Sequence, residues 1–504
     1  MIKRRVCRLL ACALLVAVMF GAAPVPASAA FADVPAGSWA ETSINRCVQS
    51  GLFQGETATR FGMGKPMTRA AFTVVLCRFF GWELIKPEQP TYTDVQDPAR
   101  WYYTAVETAY DRGAITRQTE EFRPNDPITR EEMAVMLIRA LGYTSLAGQA
   151  QELAMPFTDV TTNKGYIAMA YELGIINGTS DTTFSPERTA TREQAAVMLM
   201  RLYDKVNGPA PKLVGVAAEQ DGGDWNGYEA VAITGGRLSY AANQALVTRP
   251  EQKRETALIT AIHTDGARAL LQVTGNASAL KGNSHTLAAA IVQAVQNGGY
   301  DGAYLTFPNL AANKRGALTT LLKAVDELLP AGKLLYVEVP APVWHGKDGG
   351  AYDYSEMGKA ADCLVLQIAP YQIWDGKVMM APMEPVEEVY YAFAALNDTV
   401  PAEKLCLQLT TTASIWQGSK SSGTADGAEL QSILAAENAQ TYYSERYQCA
   451  YLQQMGVSPA RVTWYLDEQA VRERVQLSSL FGAERICLGG RGIVPQAILA
   501  GVTK

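Results

Sequence analysis

"GGYDGAYLTFPN", Gly298 to Asn309, decides how the larger part of this chain is read. Alternate side chains of a strand face the same way, so a strand here turns Tyr304, Thr306 and Pro308 to one side. That face carries a phenol, a hydroxyl and a proline ring, and no carboxylate. Seven further short apolar runs accompany it: "KLVGVAA" from 212, "EAVAIT" from 229, "RALLQVT" from 268, "LLYVEVP" from 334, "CLVLQIA" from 363, "KLCLQLT" from 404 and "RICLGG" from 485. Longer helical patterns such as "HTLAAAIVQAVQNG" and "GALTTLLKAVDELLP" lie between several of them. Eight strands with crossover helices over about 290 residues predict a closed parallel α/β barrel, with an open doubly wound sheet as the alternative.

Alternation then assigns the barrel interior. If the apolar face of each strand meets the helices, Gln272, Tyr304, Thr306, Tyr336, Glu338, Gln367, Gln408 and Thr410 point inward. The set is polar and aromatic, and Glu338 is its one carboxylate. Amide and hydroxyl groups suit sugar hydroxyls better than a reaction that needs two tuned acids. Glu338 in "YVEVPAP" has two readings: a general acid, or a carboxylate that orders the mouth by hydrogen bonds to the tyrosines. Glu219 and Asp221, just past the first strand, are further candidate carboxylates, and Trp225, Trp344, Trp374, Trp416 and Trp464 fall near strand ends, where they would stack on sugar rings or fill the core.

In order and spacing, "GGYDGAYLTF", "VPAEKLCLQL" and "VTWYLDEQAVRERVQLSSLFG" resemble glycoside hydrolase family 18, especially its bacterial cell-wall and spore members. The family's fourth strand carries Asp-x-x-Asp-x-Asp-x-Glu, whose Glu protonates the glycosidic oxygen. Carried over, Asp301 matches the first Asp, while Tyr304, Thr306 and Pro308 stand at the other acid positions. The family's Tyr-Asp after strand six falls near Ala369-Pro370, and its strand-eight Trp near Gly489. Proline has no proton to give, and positioned acid catalysis alone is worth about 10²–10⁴-fold. The resemblance therefore implies the fold and argues against the inherited reaction.

The chain has 504 residues, 48% hydrophobic and 19% charged, so bulk disorder is not expected. Residues 1–30 read as a secretory signal: a basic start (Lys3, Arg4, Arg5, Arg8), an apolar run from Leu9 to Phe20 and cleavage after Ala27-Ser28-Ala29. The run is too short to span a bilayer, so no membrane span is expected in the mature chain. The segment holds four basic residues and no acid, so its removal takes the formal charge from −6 to −10, a poor match for nucleic acid. Six cysteines remain, too few for a disulfide scaffold; Cys47 and Cys77 are either a bridge or two buried thiols. The three histidines have no metal spacing, and no phosphate loop or GxSxG turn occurs, so neither metal nor cofactor is expected.

Residues 31–204 repeat three times. Phe31-Ala-Asp33-Val34, Tyr92-Thr-Asp94-Val95 and Phe157-Thr-Asp159-Val160 open the units, and each passes through a glycine turn (Gly51, Gly113, Gly174) to an aromatic (Phe61, Phe122, Phe184). A Thr-Arg pair follows: Thr68-Arg69, Thr129-Arg130, Thr191-Arg192. Each unit predicts two helices, the second capped by its Thr hydroxyl. Glu132 and Gln194 complete capping boxes, and Ala71 leaves repeat one without that half. A helix pair of ~45 residues cannot hide its own apolar face, so the three should pack together.

Through "MTRAA", "ITREE" and "ATREQ", these repeats are similar to S-layer homology repeats. The resemblance implies a helical module that binds a secondary cell wall polymer on the bacterial surface, with Arg69, Arg130 and Arg192 at the family's ligand-contacting arginine. Asp33, Asp94 and Asp159 are candidates for the same role, or caps. An Arg fork suits a polymer bearing carboxylate or ketal acid groups.

The expected organisation is multidomain: signal 1–30, α-helical repeats 31–90, 91–155 and 156–204, a joint 205–212 from "DKVNGPAPK", and a TIM-like (β/α)8 barrel 213–504. The expected function is that of a secreted cell-wall or S-layer protein whose degenerate barrel binds peptidoglycan or a chitin-like glycan through Tyr304, Thr306, Tyr336, Glu338, Gln367, Gln408 and Trp464. The alternatives are an active glycosidase with its acid relocated to Glu338, and a surface-layer component whose barrel is a spacer.

Overall fold

A computed structural model describes residues 31–217, 224–344, 350–368, 380–489 and 501–502. The expected signal segment, Glu219, Asp221, His345, Ala369-Pro370 and Trp374 lie outside the described residues. The chain divides between Asn207 and Gly208 into two compact units.

In the first unit the helices are α1 (Glu41–Gln49), α2 (Arg69–Phe79), α3 (Tyr103–Asp111), α4 (Arg130–Ala140), α5 (Thr144–Gln149), α6 (Lys164–Glu172) and α7 (Arg192–Val206). Each repeat contributes the expected pair, α1/α2, α3/α4 and α6/α7. Gly51, Gly113 and Gly174 end the first helices at φ of +73°, +73° and +64°, the left-handed turn that a side chain resists. The second helix of each repeat packs on the first helix of the next: α2 on α3, α4 on α6, and α7 back on α1. Backbone bonds close the same cycle: Ile128 N–H donates to the Met67 carbonyl (2.8 Å), Met67 N–H to Ala190 (2.9 Å) and Ala190 N–H to Ile128 (2.9 Å). This ring explains the thiols. Cys47 faces α7, donating to the Ala196 carbonyl, and Cys77 faces α3, donating to that of Ala105. They sit in different helix seams and are both free, and burial pushes each up to about 12.

The second unit holds fourteen strands among its described residues: β1 (Lys212–Ala217), β2 (Tyr228–Ala241), β3 (Gln244–Thr248), β4 (Arg268–Thr274), β5 (Gly302–Thr306), β6 (Leu334–Pro340), β7 (Cys363–Gln367), β8 (Leu405–Thr410), β9 (Ala413–Gln417), β10 (Lys420–Ala425), β11 (Ala439–Ser444), β12 (Cys449–Gln454), β13 (Arg461–Tyr465) and β14 (Arg485–Gly489). Eight of them, in the order β1-β2-β4-β5-β6-β7-β8-β14, pair in parallel and close where β14 meets β1. All eight expected strands are present, and the fold is the closed barrel rather than the open sheet. Its interior is filled by Val214, Ala230, Ala232, Leu270, Tyr304, Tyr336, Cys363, Val365, Cys406 and Cys487.

Two additions lie outside the sequence expectation. β2 runs on past a bulge at Ile233/Gly236 and turns back antiparallel as β3 through Ala242 and Asn243, both at positive φ, as a two-residue hairpin requires. Between β8 and β14, a five-stranded antiparallel sheet, β10-β9-β13-β12-β11, packs over the short helix Gly427–Leu434. Among the described residues, no helix is long and apolar enough to cross a membrane, and no His/Cys/Asp/Glu cluster could hold a metal.

Gly302 is a tight joint of the barrel wall: a Cβ there would lie 2.1 Å from the Leu334 carbonyl oxygen of the neighbouring strand. Gly302→Ala is expected to destabilise the second unit by about 3 kcal/mol, read by urea denaturation. A change below about 0.5 kcal/mol would mean that the β5–β6 spacing is not fixed there.

Candidate functional site

In the first unit each Thr-Arg pair reaches across to a neighbouring repeat. The Nε–H groups of Arg69, Arg130 and Arg192 donate to the carbonyls of Phe122, Phe184 and Phe61, at 2.8, 2.9 and 3.0 Å. Each guanidinium also lies over the ring of that phenylalanine, 4.9, 4.5 and 5.0 Å from its centre. All three arginines are partly buried, and burial is the main cause holding them below the ordinary arginine range. They therefore line three pseudo-equivalent grooves between repeats. The grooves depend on residues about 55 and 130 positions apart, a pairing that the spacing within one repeat does not reveal.

The repeat aspartates have a different position. Asp33 accepts from the N–H groups of Phe61, Gly62 and Met63, Asp94 from Phe122 and Arg123, and Asp159 from Phe184 and Ser185. For Asp33 burial acts upward, but the backbone bonds outweigh it and the carboxyl lies below its usual range; for Asp159 the Phe184 N–H is the leading cause of the same shift. Both oxygens of each aspartate are engaged in shaping the loop that offers its Phe carbonyl to an arginine. The aspartates thus hold that loop in place, which corrects the cap alternative: the helices that follow them start at Ala40, Tyr102 and Asn163 with no side-chain cap. The caps form as expected at Thr129, where the Glu132 carboxylate accepts from the Thr129 N–H at 3.0 Å, and Thr68 accepts only from Ala71 N–H.

In the barrel, the expected inward set lies on the same strand faces as the interior cluster, through the pairs Gln272–Tyr304, Tyr304–Tyr336, Thr306–Glu338 and Gln367–Gln408. Depth separates its members. Tyr304 and Tyr336 are 0% and 1% exposed and belong to the packed interior, so they floor the mouth and offer no ring face to a ligand. Burial drives both phenols well above their ordinary range. One layer up, Tyr304 Oη donates to Glu338 Oε2 at 2.8 Å and Thr306 Oγ1 to Glu338 Oε1 at 3.1 Å. Gln367 is exposed at the C-terminal end of β7, and Gln408 is half-buried with its amide oxygen unpartnered. β5 stops at Thr306, and Pro308 lies in the turn beyond it with no N–H to continue the ladder. Asp301 sits at the opposite, N-terminal end, accepting from Ala269 N–H and His263, and takes no part in the mouth.

The sequence reading missed the acids that follow β7. In "MEPVEE", Glu384, Glu387 and Glu388 are 4%, 0% and 3% exposed. Glu384 Oε1 accepts from the Thr410 N–H at the mouth end of β8 (2.5 Å), and Glu388 from the Trp344 N–H after β6 (2.8 Å). Glu384 Oε2 has no partner and borders a void of about 10 Å³ with Thr412 and Trp464, room for one water. Burial pushes Glu384 up to about 7. Flanking Pro and a short acidic run ordinarily signal a helix start, which is also what they form here (Val386–Leu396), so the sequence held no separate sign of burial. Of the tryptophans, Trp225, Trp416 and Trp464 are each 7% exposed; the last two lie on the inserted antiparallel sheet, and Trp344 stacks on Tyr391.

The S-layer homology domain model matches residues 30–73, 91–134 and 156–196. An endoglucanase of Bacillus sp. (strain KSM-635) is 35% identical over 35% of this chain and 19% of its own length. An S-layer protein of Bacillus thuringiensis subsp. finitimus is 30% identical over 35% of this chain and 22% of its own length. The chain thus spans less than a quarter of either relative. A class V chitinase of Pseudomonas fluorescens Pf-5 is similar in structure, with a TM-score of 0.50 and 16% identity over 58% of this chain and 98% of its own; it shares the barrel fold. The chain carries three S-layer homology repeats and a chitinase-like barrel, and the repeats indicate a cell-surface location.

Glu384 gives the second unit a pH signature. Its folded value lies above the ordinary 4.5, so the folded state holds the proton more tightly; its contribution is fully present below about 4.5 and is lost as pH rises through about 7. The loss should amount to about 3 kcal/mol between pH 4.5 and 8. Glu384→Gln should flatten that part of the stability–pH curve in urea denaturation; an unchanged slope would contradict the assignment.

Proposed function

We propose that this is a secreted protein, exported by its first thirty residues, whose S-layer homology unit anchors to an acidic wall polymer through groove arginines. Its barrel binds an N-acetylated glycan, peptidoglycan or a chitin-like chain, without hydrolysing it. The observation that carries the barrel reading is the state of Glu338: both of its oxygens already accept hydrogen bonds, from Tyr304 and Thr306, and those two donors stand where the resembled family has acids. A general acid has to present a proton to the leaving oxygen. Pro308, at the position of the family's proton donor, has none.

What remains at the mouth is suited to holding a sugar. Gln367, Gln408 and Thr410 offer amides and hydroxyls near the strand ends, and the unpartnered Gln408 oxygen supplies a buried acceptor that a ligand hydroxyl would satisfy. One observation favours a second reading, an active hydrolase: burial pushes Glu384 up to about 7, and it borders a one-water void.

Titration calorimetry of the full chain with an N-acetylglucosamine hexamer tests the binding reading. Binding is expected, and Gln408→Leu should weaken it about tenfold without lowering stability, because the buried amide oxygen it removes has no partner within the protein. Absence of binding to both the hexamer and isolated peptidoglycan would leave the barrel as a spacer and overturn the proposal.

A further inference from the structure

Resting on the anchor reading, we infer that the three arginine grooves are not equivalent, and that the groove of Arg130 is the principal acceptor for a carboxylate-bearing sugar whereas Glu132 closes the groove of Arg69 to anions. The cyclic packing sets this up. At Arg69 the next repeat supplies Glu132, the residue three past its capping threonine; in the sequence the equivalent positions of the repeats that meet Arg130 and Arg192 are Gln194 and Ala71, neither of which carries a charge. The glutamate that distinguishes "TREE" from "TRAA" and "TREQ" is therefore met directly by a neighbouring repeat's arginine.

At Arg69 the result is an internal ion pair. Glu132 Oε1 takes Arg69 Nη1 at 2.5 Å and Arg123 Nη2 at 3.0 Å, and Asp126 stands 3.8 Å from Arg123, so two cations face two carboxylates. The cleft beside them is roomy, about 660 Å³, but its lining sets Glu120, Glu121, Glu131 and Glu132 against Arg69, Arg123 and Arg139, so it has no positive excess. At Arg130 the second contact is a neutral one, from Nη2 to the Asn177 carbonyl at 2.7 Å. Arg188 adds a second positive charge nearby, and the one neighbouring carboxylate, Asp159, has both oxygens on the Phe184 and Ser185 N–H groups. The third-repeat loop beside it is lined with hydroxyls, Thr179 bonding Thr183 and Ser185 at 3.1 and 2.8 Å. Arg192 is intermediate: Nη2 meets the Gln54 carbonyl at 2.9 Å, but Glu56 lies close by, paired with Lys65. A guanidinium whose partners are neutral carbonyls still has its charge to offer an incoming anion; one already paired with a carboxylate would have to exchange partners for no net gain.

The isosteric pair Glu132/Gln194 makes the test clean, because either residue keeps the capping oxygen that accepts from the threonine N–H. Full-length chain is titrated onto isolated bacterial cell walls, untreated or with their carboxylates amidated by carbodiimide. Gln194→Glu, which would give Arg130 its own counterion, is expected to weaken retention about tenfold, Arg130→Gln at least as much, and Arg69→Gln less than about twofold. Glu132→Gln should strengthen retention, and amidated walls should not hold the wild-type chain. Thermal melts of all variants within a few degrees of wild type confirm intact folding. Equal losses for Arg69→Gln and Arg130→Gln, or full retention of Gln194→Glu, would overturn the inference while leaving the anchor reading intact. A wild-type chain that does not bind untreated walls would overturn both.

Discussion

Neither unit of this chain can leave its last element unpartnered, and both solve the problem by closing on themselves. A parallel strand at an open edge would expose unpaired N–H and C=O groups, and β14 meets β1 to remove that edge. A lone helix pair would expose its apolar face, and α7 returns to α1 to cover it. Closure does more than stabilise. In the barrel it gathers eight strand ends into one mouth; in the repeat unit it brings an arginine of one repeat onto the Phe carbonyl of another. The candidate sites in both units are products of ring closure.

Within the barrel, the chemistry follows from which side chains closure buries. Tyr304 and Tyr336 fill the interior with Cys363, Cys406 and Cys487, and the Tyr304 hydroxyl then needs an acceptor in a place without water. Glu338 provides it, and shares its other oxygen with Thr306. The same three residues thereby form one satisfied polar network at the base of the mouth. Two strands round the barrel from this network, Gln408 on β8 leaves its amide oxygen without a partner, as Glu384 does one of its carboxylate oxygens.

The eight barrel strands and the parity of their side chains were legible because a buried parallel strand is a short apolar run and because period-two alternation fixes its faces. Glu338 could be singled out for the same reason. What could not be read was depth: alternation puts Tyr304 and Gln367 on equivalent faces, yet one lies in the packed interior and the other at the rim. Nor does sequence spacing show that Arg69 meets Glu132, since the ring joins residues from different repeats. The inserted sheet at 413–465 was missed because its strands, such as "AQTYYS" and "RVTWY", are short, half-polar and antiparallel, and carry no crossover helices to mark them.

The central claim, that the barrel retains a sugar-binding mouth without a working acid, is tested most directly by product analysis. Full-length chain incubated with N-acetylglucosamine hexamer at pH 5 and pH 7 should return the hexamer intact by mass spectrometry. Release of shorter oligomers that Glu338→Gln or Glu384→Gln abolishes would contradict the claim and place the proton donor at the residue whose loss stops the reaction.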